Sequence, residues 1–206
     1  EDSVGHVVFR NLRDAGFKGP VYPINTKHET VLGKSAYKDL VSLGKPVDLA
    51  VVATPAASIP AITEACGEHG VKAMIILSAG FREVGPAGRQ LEEKILDIAR
   101  GSGIRILGPN CLGIVYSGNE KTPGVNTFFV PEEKFRINLE KDNNVAILSQ
   151  SGALGITEIY NLRNAISPKV IVSYGNQLDV DPSDLVQYFE EDPMVDVIGL
   201  YIEGFK

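Results

Sequence analysis

Five times along the chain a short apolar run of strand length ends in a turn of small or polar residues. The runs are Val21–Asn25, Asp48–Ala53, Ala73–Leu77, Ile104–Leu107 and Val145–Leu148. Between several of them, apolar residues recur at helical spacing: Val4, Val7, Val8 and Leu12 first, then Ile59–Cys66, then Leu91, Ile95 and Ile98 on one face of 91–99. Strands that are apolar throughout, rather than alternating, are covered on both faces. Their alternation with helices predicts an α/β fold built on a parallel, doubly wound sheet with right-handed crossovers.

Residues 117–143 interrupt this rhythm with Pro, Gly, Asn and clustered charge. They predict a linker holding one short strand near Val125–Val130. The alternation then restarts with strand Val145–Leu148, helix Ala153–Leu162, strand Lys169–Ser173, helix Asp184–Phe189 and strand Val195–Ile202. The expected organisation is a Rossmann-like lobe over 1–118 lacking its first strand, a linker over 119–143, and a flavodoxin-like lobe beginning at 144 and running to 206. Glu1 is not Met, Val4–Leu12 reads as a helix already under way, and Tyr201–Gly204 reads as a strand end with nothing after it. The chain is therefore expected to be a piece truncated at both ends.

The 206 residues suffice for one large domain or two lobes of about 100 residues each. Hydrophobic residues make up 44% and charged residues 22%, which allows a packed core and excludes wholesale disorder. A formal net charge of −6 argues against a general nucleic-acid binder. It leaves room for a small anion, because one loop of backbone N–H groups binds phosphate whatever the global charge. Two cysteines, Cys66 and Cys111, fit a reducing compartment, and a cytoplasmic location is expected. No apolar run approaches the length of about 18 residues that a membrane helix needs, and no leader sequence opens the chain.

In an open parallel sheet, ligands bind beyond the carboxyl ends of the strands. The turns to inspect are therefore Asn25-Thr26-Lys27, Thr54-Pro55-Ala56, Ser78-Ala79-Gly80-Phe81, Gly108-Pro109-Asn110-Cys111 and Ser149-Gln150-Ser151-Gly152. The last precedes a helix, whose N-terminus favours an anion, although Ser151 as an ordinary N-cap explains the same residues. Lys27 is either a phosphate partner or a solvated surface lysine. Pro55 either frames a flat ligand or simply ends a strand. Asn110 could meet a polar ligand, while Cys111 is either a site residue or a small buried filler with no histidine nearby in sequence to activate it. Glu203, between apolar residues at a strand end, is either a poised carboxylate or a satisfied edge residue. His6, His28 and His69 show no metal-ligand spacing, so no metal site is expected. Neither a nucleophile elbow nor a Walker phosphate loop occurs, and no G-x-G-x-x-G is visible.

Four stretches at these turns carry a resemblance. Asn11–Asn25 (NLRDAGFKGPVYPIN), Ser78–Gly85 (SAGFREVG), Gly108–Ile114 (GPNCLGI) and Ser149–Gly155 (SQSGALG) resemble the NDP-forming acyl-CoA synthetases, above all the alpha part of ADP-forming acetyl-CoA synthetase. The succinyl-CoA synthetase alpha subunit is a more distant relative. The resemblance implies a CoA-binding lobe followed by the start of a succinyl-CoA synthetase-like ligase lobe. It implies a ligase that interconverts acyl-CoA, ADP and phosphate with free acid, CoA and ATP, through an acyl phosphate and a phosphorylated histidine. Lys27, Thr54, Pro55, Ser78, Ala79, Gly80, Asn110 and Cys111 match positions lining the CoA groove. Ser149, Ser151 and Gly152 match the helix N-terminus that holds phosphate or phosphohistidine, and Glu203 matches the carboxylate that orients that histidine. ATP or ADP and Mg would sit outside these residues, on an ATP-grasp (beta) part in cis or trans, within a homo- or hetero-oligomer acting on CoA and a small carboxylic acid. Neither the phosphorylated histidine nor the CoA glycine loop lies in the chain, so these 206 residues alone are expected to be inactive. Two other readings stay open: a ligase-inactive regulatory or acetyltransferase-linked protein with the same lobes, and an NAD-binding module.

Overall fold

The computed structural model describes residues 3–119, 121–130, 143–162 and 168–205. Residue 120 and residues 131–142 of the expected linker lie outside them.

The chain opens with helix α1 (Val4–Asp14), whose buried Val7, Val8 and Asn11 face inward. Two two-residue strands, β1 (Thr30–Val31) and β2 (Lys34–Ser35), form an antiparallel hairpin around Leu32 and Gly33, both at positive φ. That is the backbone a tight two-residue hairpin turn demands. Helix α2 (Leu40–Leu43) is closed by a capping box between Asp39 and Ser42.

The first sheet then forms from β3 (Leu49–Val52), β4 (Ala73–Ile76) and β5 (Arg105–Leu107), in the order β3-β4-β5 and parallel throughout. Helices α3 (Ile59–Glu68) and α4 (Pro86–Ser102) are the crossovers. Pro86 opens α4 where its missing N–H costs nothing, and Gly103 ends it in the left-handed region. The parallel sheet expected for this lobe is present. The strand expected at Val21–Asn25 is reduced to one isolated bridge, Ile24 to Tyr37. Pro20 and Pro23 flank it without N–H donors, so no ladder extends from it.

The second sheet is mixed. Strands β6 (Gly113–Tyr116), β7 (Val125–Asn126), β8 (Val145–Ser149), β9 (Val170–Ser173) and β10 (Val197–Tyr201) lie in the order β10-β8-β9-β6-β7. β10, β8 and β9 are parallel, whereas β6 runs antiparallel to both β9 and β7. Helices α5 (Gly152–Leu162) and α6 (Pro182–Glu190) follow β8 and β9. Asp181 caps α6 by accepting from the N–H groups of Ser183 and Asp184. The strand expected over Val125–Val130 covers only Val125–Asn126, and β6 is an element the sequence reading lacks. Both pair within the second sheet, on either side of residue 118.

One buried layer packs Val52, Ile59, Met74, Ile76, Phe81, Ile95 and Ile106 around one face of the first sheet, with Leu178 of the second lobe added. A second layer joins Ile75, Leu77 and Leu107 to Ala146, Leu148, Val172, Tyr174 and Phe189. Full burial of each large aliphatic side chain is worth about 1.5–3 kcal/mol. Exposed ion pairs across the same seam, such as Arg105 to Asp179 at 2.8 Å, are worth only ~0–1 kcal/mol. The lobes are therefore joined by shared core rather than by surface charge.

Candidate functional site

At the carboxyl edge of the first sheet, three turns are sewn together. The Ser78 hydroxyl donates to the Thr54 carbonyl at 2.5 Å, and the Asn110 N–H donates to the Ser78 carbonyl at 2.9 Å. Ser58 Oγ sits 2.9 Å from Thr54 Oγ1 and donates to the Pro55 carbonyl at 2.7 Å. A Cβ placed on Gly80 would lie 3.1 Å from that of Ala56, so these two loops touch. Thr54, Pro55, Ala79 and Asn110 are exposed along this edge, with Ser78 and Gly80 half-buried between them. We call it the first rim. Lys27 lies on an exposed turn whose N–H groups, its own and that of His28, donate to Asn25 Oδ1 at 2.9 and 3.0 Å.

Glu83 holds the Ser78–Gly85 loop from within. Its Oε1 accepts from the N–H groups of Gly80 (2.6 Å) and Phe81 (3.0 Å), and its Oε2 from Asn176 Nδ2 (2.7 Å). Burial raises the Glu83 pKa, but the hydrogen bonds from Asn176, Phe81 and Gly80 outweigh it and leave the carboxyl below its ordinary range. Cys111 does not share the exposure of the rim. Its thiol is buried, donates to the Ile76 carbonyl at 3.4 Å, and is pushed by burial up to about 12. The side chain that the resemblance places near a thiol ligand points into the core.

A second rim forms where β8, β9 and β10 end. Ser149 is buried, and its hydroxyl donates to the Ser151 carbonyl at 2.7 Å. Ser151 Oγ accepts from the Leu154 N–H at 3.3 Å, the ordinary capping role of this residue. Gly152 lies so close to Leu112 that a Cβ there would meet its Cγ at 2.8 Å, which lets the N-terminus of α5 pack on the residue that leads into β6. Glu203 is exposed at the exit from β10, near enough to the Tyr174 hydroxyl that, after burial, its charge is a second cause raising that pKa to about 12.

Three residues here, Tyr174, Asn176 and Gln177, escaped the sequence reading, and a fourth, Gln150, lay in an inspected turn without a role. Gln150 Oε1 accepts from the N–H groups of Glu203 and Gly204 at 2.8 and 3.2 Å. Gln177 Nε2 donates to the Gly204 carbonyl at 3.0 Å, and Tyr174 donates to the Tyr201 carbonyl at 2.7 Å. Asn176 reaches the other way. Beyond Glu83, it donates to Glu92 Oε1 at 2.8 Å, and its N–H donates to the Pro109 carbonyl at 2.9 Å. Glu92 is itself buried and paired to Arg82 at 2.6 Å. The signal that could have found Tyr174, Asn176 and Gln177 is the turn Tyr174-Gly175-Asn176-Gln177, a sixth polar turn directly after an apolar strand. The two rims meet there: Gly175, at φ 55°, sits where a Cβ would overlap the Pro109 and Asn110 carbonyl oxygens. Among the described residues, no cluster of His, Cys, Asp and Glu could hold a metal ion, and no helix is long and apolar enough to cross a membrane.

The strand ends of this α/β protein form two adjoining rims. Residues 1–117 match the CoA binding domain, and residues 142–206 match the succinyl-CoA ligase like flavodoxin domain. The chain belongs to the CoA binding domain family. It is 40% identical over 208 residues to an acetate–CoA ligase (ADP-forming) of Methanocaldococcus jannaschii, covering all of this chain and 27% of that protein. It is 36% identical to the alpha subunit of acetate–CoA ligase (ADP-forming) I of Pyrococcus furiosus, covering 98% of this chain and 43% of that one. The dinucleotide forming acetyl-coenzyme A synthetase 1 of Ca. Korarchaeum cryptofilum, solved with phosphate and ADP, superposes with a TM-score of 0.87 at 36% identity, over 99% of this chain and 42% of that one. The chain thus spans between a quarter and somewhat under half the length of these relatives.

Proposed function

We propose that this chain supplies the CoA-binding lobe and the first part of the ligase lobe of an ADP-forming acyl-CoA synthetase of the acetate–CoA ligase type. The reaction interconverts a small carboxylic acid, CoA and ATP with acyl-CoA, ADP and phosphate. The observation that carries this reading is the seam at Pro109-Asn110 and Gly175-Asn176, which joins the first rim to the turn whose Gln177 holds the Glu203–Gly204 loop.

The first rim fits a large, flexible, polar carrier. Its side chains are small, so backbone and short hydroxyls line the edge, and Thr54, Pro55, Ser78, Ala79, Gly80 and Asn110 would hold CoA there. Lys27, on its separate turn, would meet the nucleotide end as a point charge. Cys111 contributes backbone only. CoA supplies a thiol that accepts the acyl group.

On the second rim, the N-terminus of α5 at Ser151-Gly152 offers N–H groups and a dipole for a phosphoryl group, which needs fixed donors more than covalent help. Glu203 would orient a histidine by accepting from its second ring nitrogen. That histidine, the nucleotide and Mg would be supplied by further parts of the enzyme, with an ATP-grasp part in cis or in trans, in the cytoplasm.

Two titrations and one variant test the reading. CoA saturates the full-length protein and NAD does not; NAD binding without CoA binding would favour a dinucleotide module. Glu203→Gln lowers kcat of the full-length enzyme by about 100-fold, in the range of a lost proton-positioning group; unchanged kcat contradicts the role of Glu203.

A further inference from the structure

Glu203 lies in the loop that leaves β10. It follows an edge strand, and Glu203, Gly204 and Phe205 are exposed. Two glutamines supply three hydrogen bonds to this loop: Gln150 accepts from Glu203 and Gly204, and Gln177 donates to the Gly204 carbonyl. Holding a glutamine side chain in one conformation costs it rotamer entropy. Gln177 also sits at φ 54°, in the left-handed region that non-glycine residues disfavour. It is 3% exposed.

The anchors of the two glutamines explain what is gained. Gln150 lies between Ser149 and Ser151, and its N–H donates to the Tyr201 carbonyl at 3.1 Å. Gln177 follows Asn176, which is fixed to Glu83, Glu92 and Pro109 of the first lobe. Leu178 continues the attachment, its N–H donating to the Gly108 carbonyl at 2.9 Å. An unbroken series of bonds thus runs from the Gly80 N–H through Glu83, Asn176 and Gln177 to Gly204. We propose that Gln150 and Gln177 are positioning residues for Glu203, locating its carboxylate against both the α5 N-terminus and the CoA edge, with Asn176 as the fixed point between lobes. This deepens the reading of Glu203 given above and rests on it.

The test uses Gln150→Ala and Gln177→Asn in the full-length enzyme, beside Glu203→Gln. Asparagine keeps the left-handed preference and the amide but is one methylene short of Gly204. Each glutamine variant is expected to lower kcat about 10–100-fold, the cost of a small misplacement, with KM for CoA unchanged within about twofold. Amide hydrogen exchange at Glu203 and Gly204 is expected to rise about tenfold or more in Gln150→Ala, with no change at Gly80 and Phe81. If one variant fails to fold, the other is read in the same way. Unchanged kcat in a folded glutamine variant, with Glu203→Gln impaired, overturns the positioning role alone. Unchanged exchange at Glu203 and Gly204 in Gln150→Ala overturns the clamp itself. An active Glu203→Gln enzyme overturns the reading beneath it and the positioning role together.

Discussion

The two rims are built in opposite ways from the same architectural rule. The first is held mainly by its own loops: Ser78 to Thr54, Asn110 to Ser78, Glu83 back onto Gly80 and Phe81. Its outward residues carry little of that load and remain exposed. The second is held by long side chains reaching across strands, Gln150, Tyr174 and Gln177, and its serines are occupied with neighbouring backbone. A broad, permissive edge suits a large ligand held by many weak contacts. A loop fixed from several directions suits one group that must stand in one place.

The junction between the rims is where this contrast breaks most readily. Gly175→Ala introduces a Cβ onto the Pro109 and Asn110 carbonyls at positive φ, and a loss of roughly 3 kcal/mol or more is expected from overlap and strain combined. Gly70→Ala serves as the control. Gly70 also has positive φ but nothing within 4 Å, so its cost is limited to strain of ~1 kcal/mol. Denaturant midpoints of the two variants decide the matter; equal losses would mean that the junction is not tightly packed. Asn176→Ala comes next. It removes the donor to buried Glu92 and to Glu83, and about 2–3 kcal/mol is expected in a urea titration.

A smaller effect separates the rims by pH. The Glu83 carboxyl has a depressed folded pKa, so its contribution is fully present above the unfolded carboxylate value and is lost as pH falls through the folded one. Thermal melts should show stability dropping on acidification below the ordinary carboxylate range, with a shallower drop in Glu83→Gln. An identical acid profile in the variant would remove Glu83 from the seam. The smallest effect concerns Cys111. With its thiol pushed up to about 12, alkylation of the folded chain at neutral pH should be negligible and should become complete on unfolding, as read by mass spectrometry. Rapid alkylation in the folded state would return Cys111 to the first rim.

Much of the fold was legible because buried parallel strands are written as continuous apolar runs, and those at 48–53, 73–77, 104–107, 145–148 and 169–173 all became strands. Val21–Asn25 misled because apolar content alone does not supply the N–H donors that its prolines remove. β6 was hidden because its partners are β9, more than 50 residues later, and β7 across a turn; such pairing leaves little local periodicity. For the site, the rule that turns after strands gather at one edge pointed to four of the five turns at the rims, 54–56, 78–81, 108–111 and 149–152, and missed 174–177; the turn at 25–27 follows only an isolated bridge. The rule could not say that Cys111 faces inward, since that is set by Ile76, 35 residues away. Nor could it give Gln150 and Gln177 a purpose, because their partners at 201–204 become neighbours only when β10 pairs with β8.

The central claim is that the first rim is a CoA edge and that the seam joins it to the Glu203 loop. Amide hydrogen exchange of the full-length protein with and without saturating CoA tests this most directly. Protection is predicted at residues 54–58, 78–85 and 108–111, extending through Asn176 and Gln177, with Lys45 and Lys72 at the opposite end of the strands unchanged. Protection confined to that opposite end, or saturable CoA binding that leaves the three turns untouched, would contradict it.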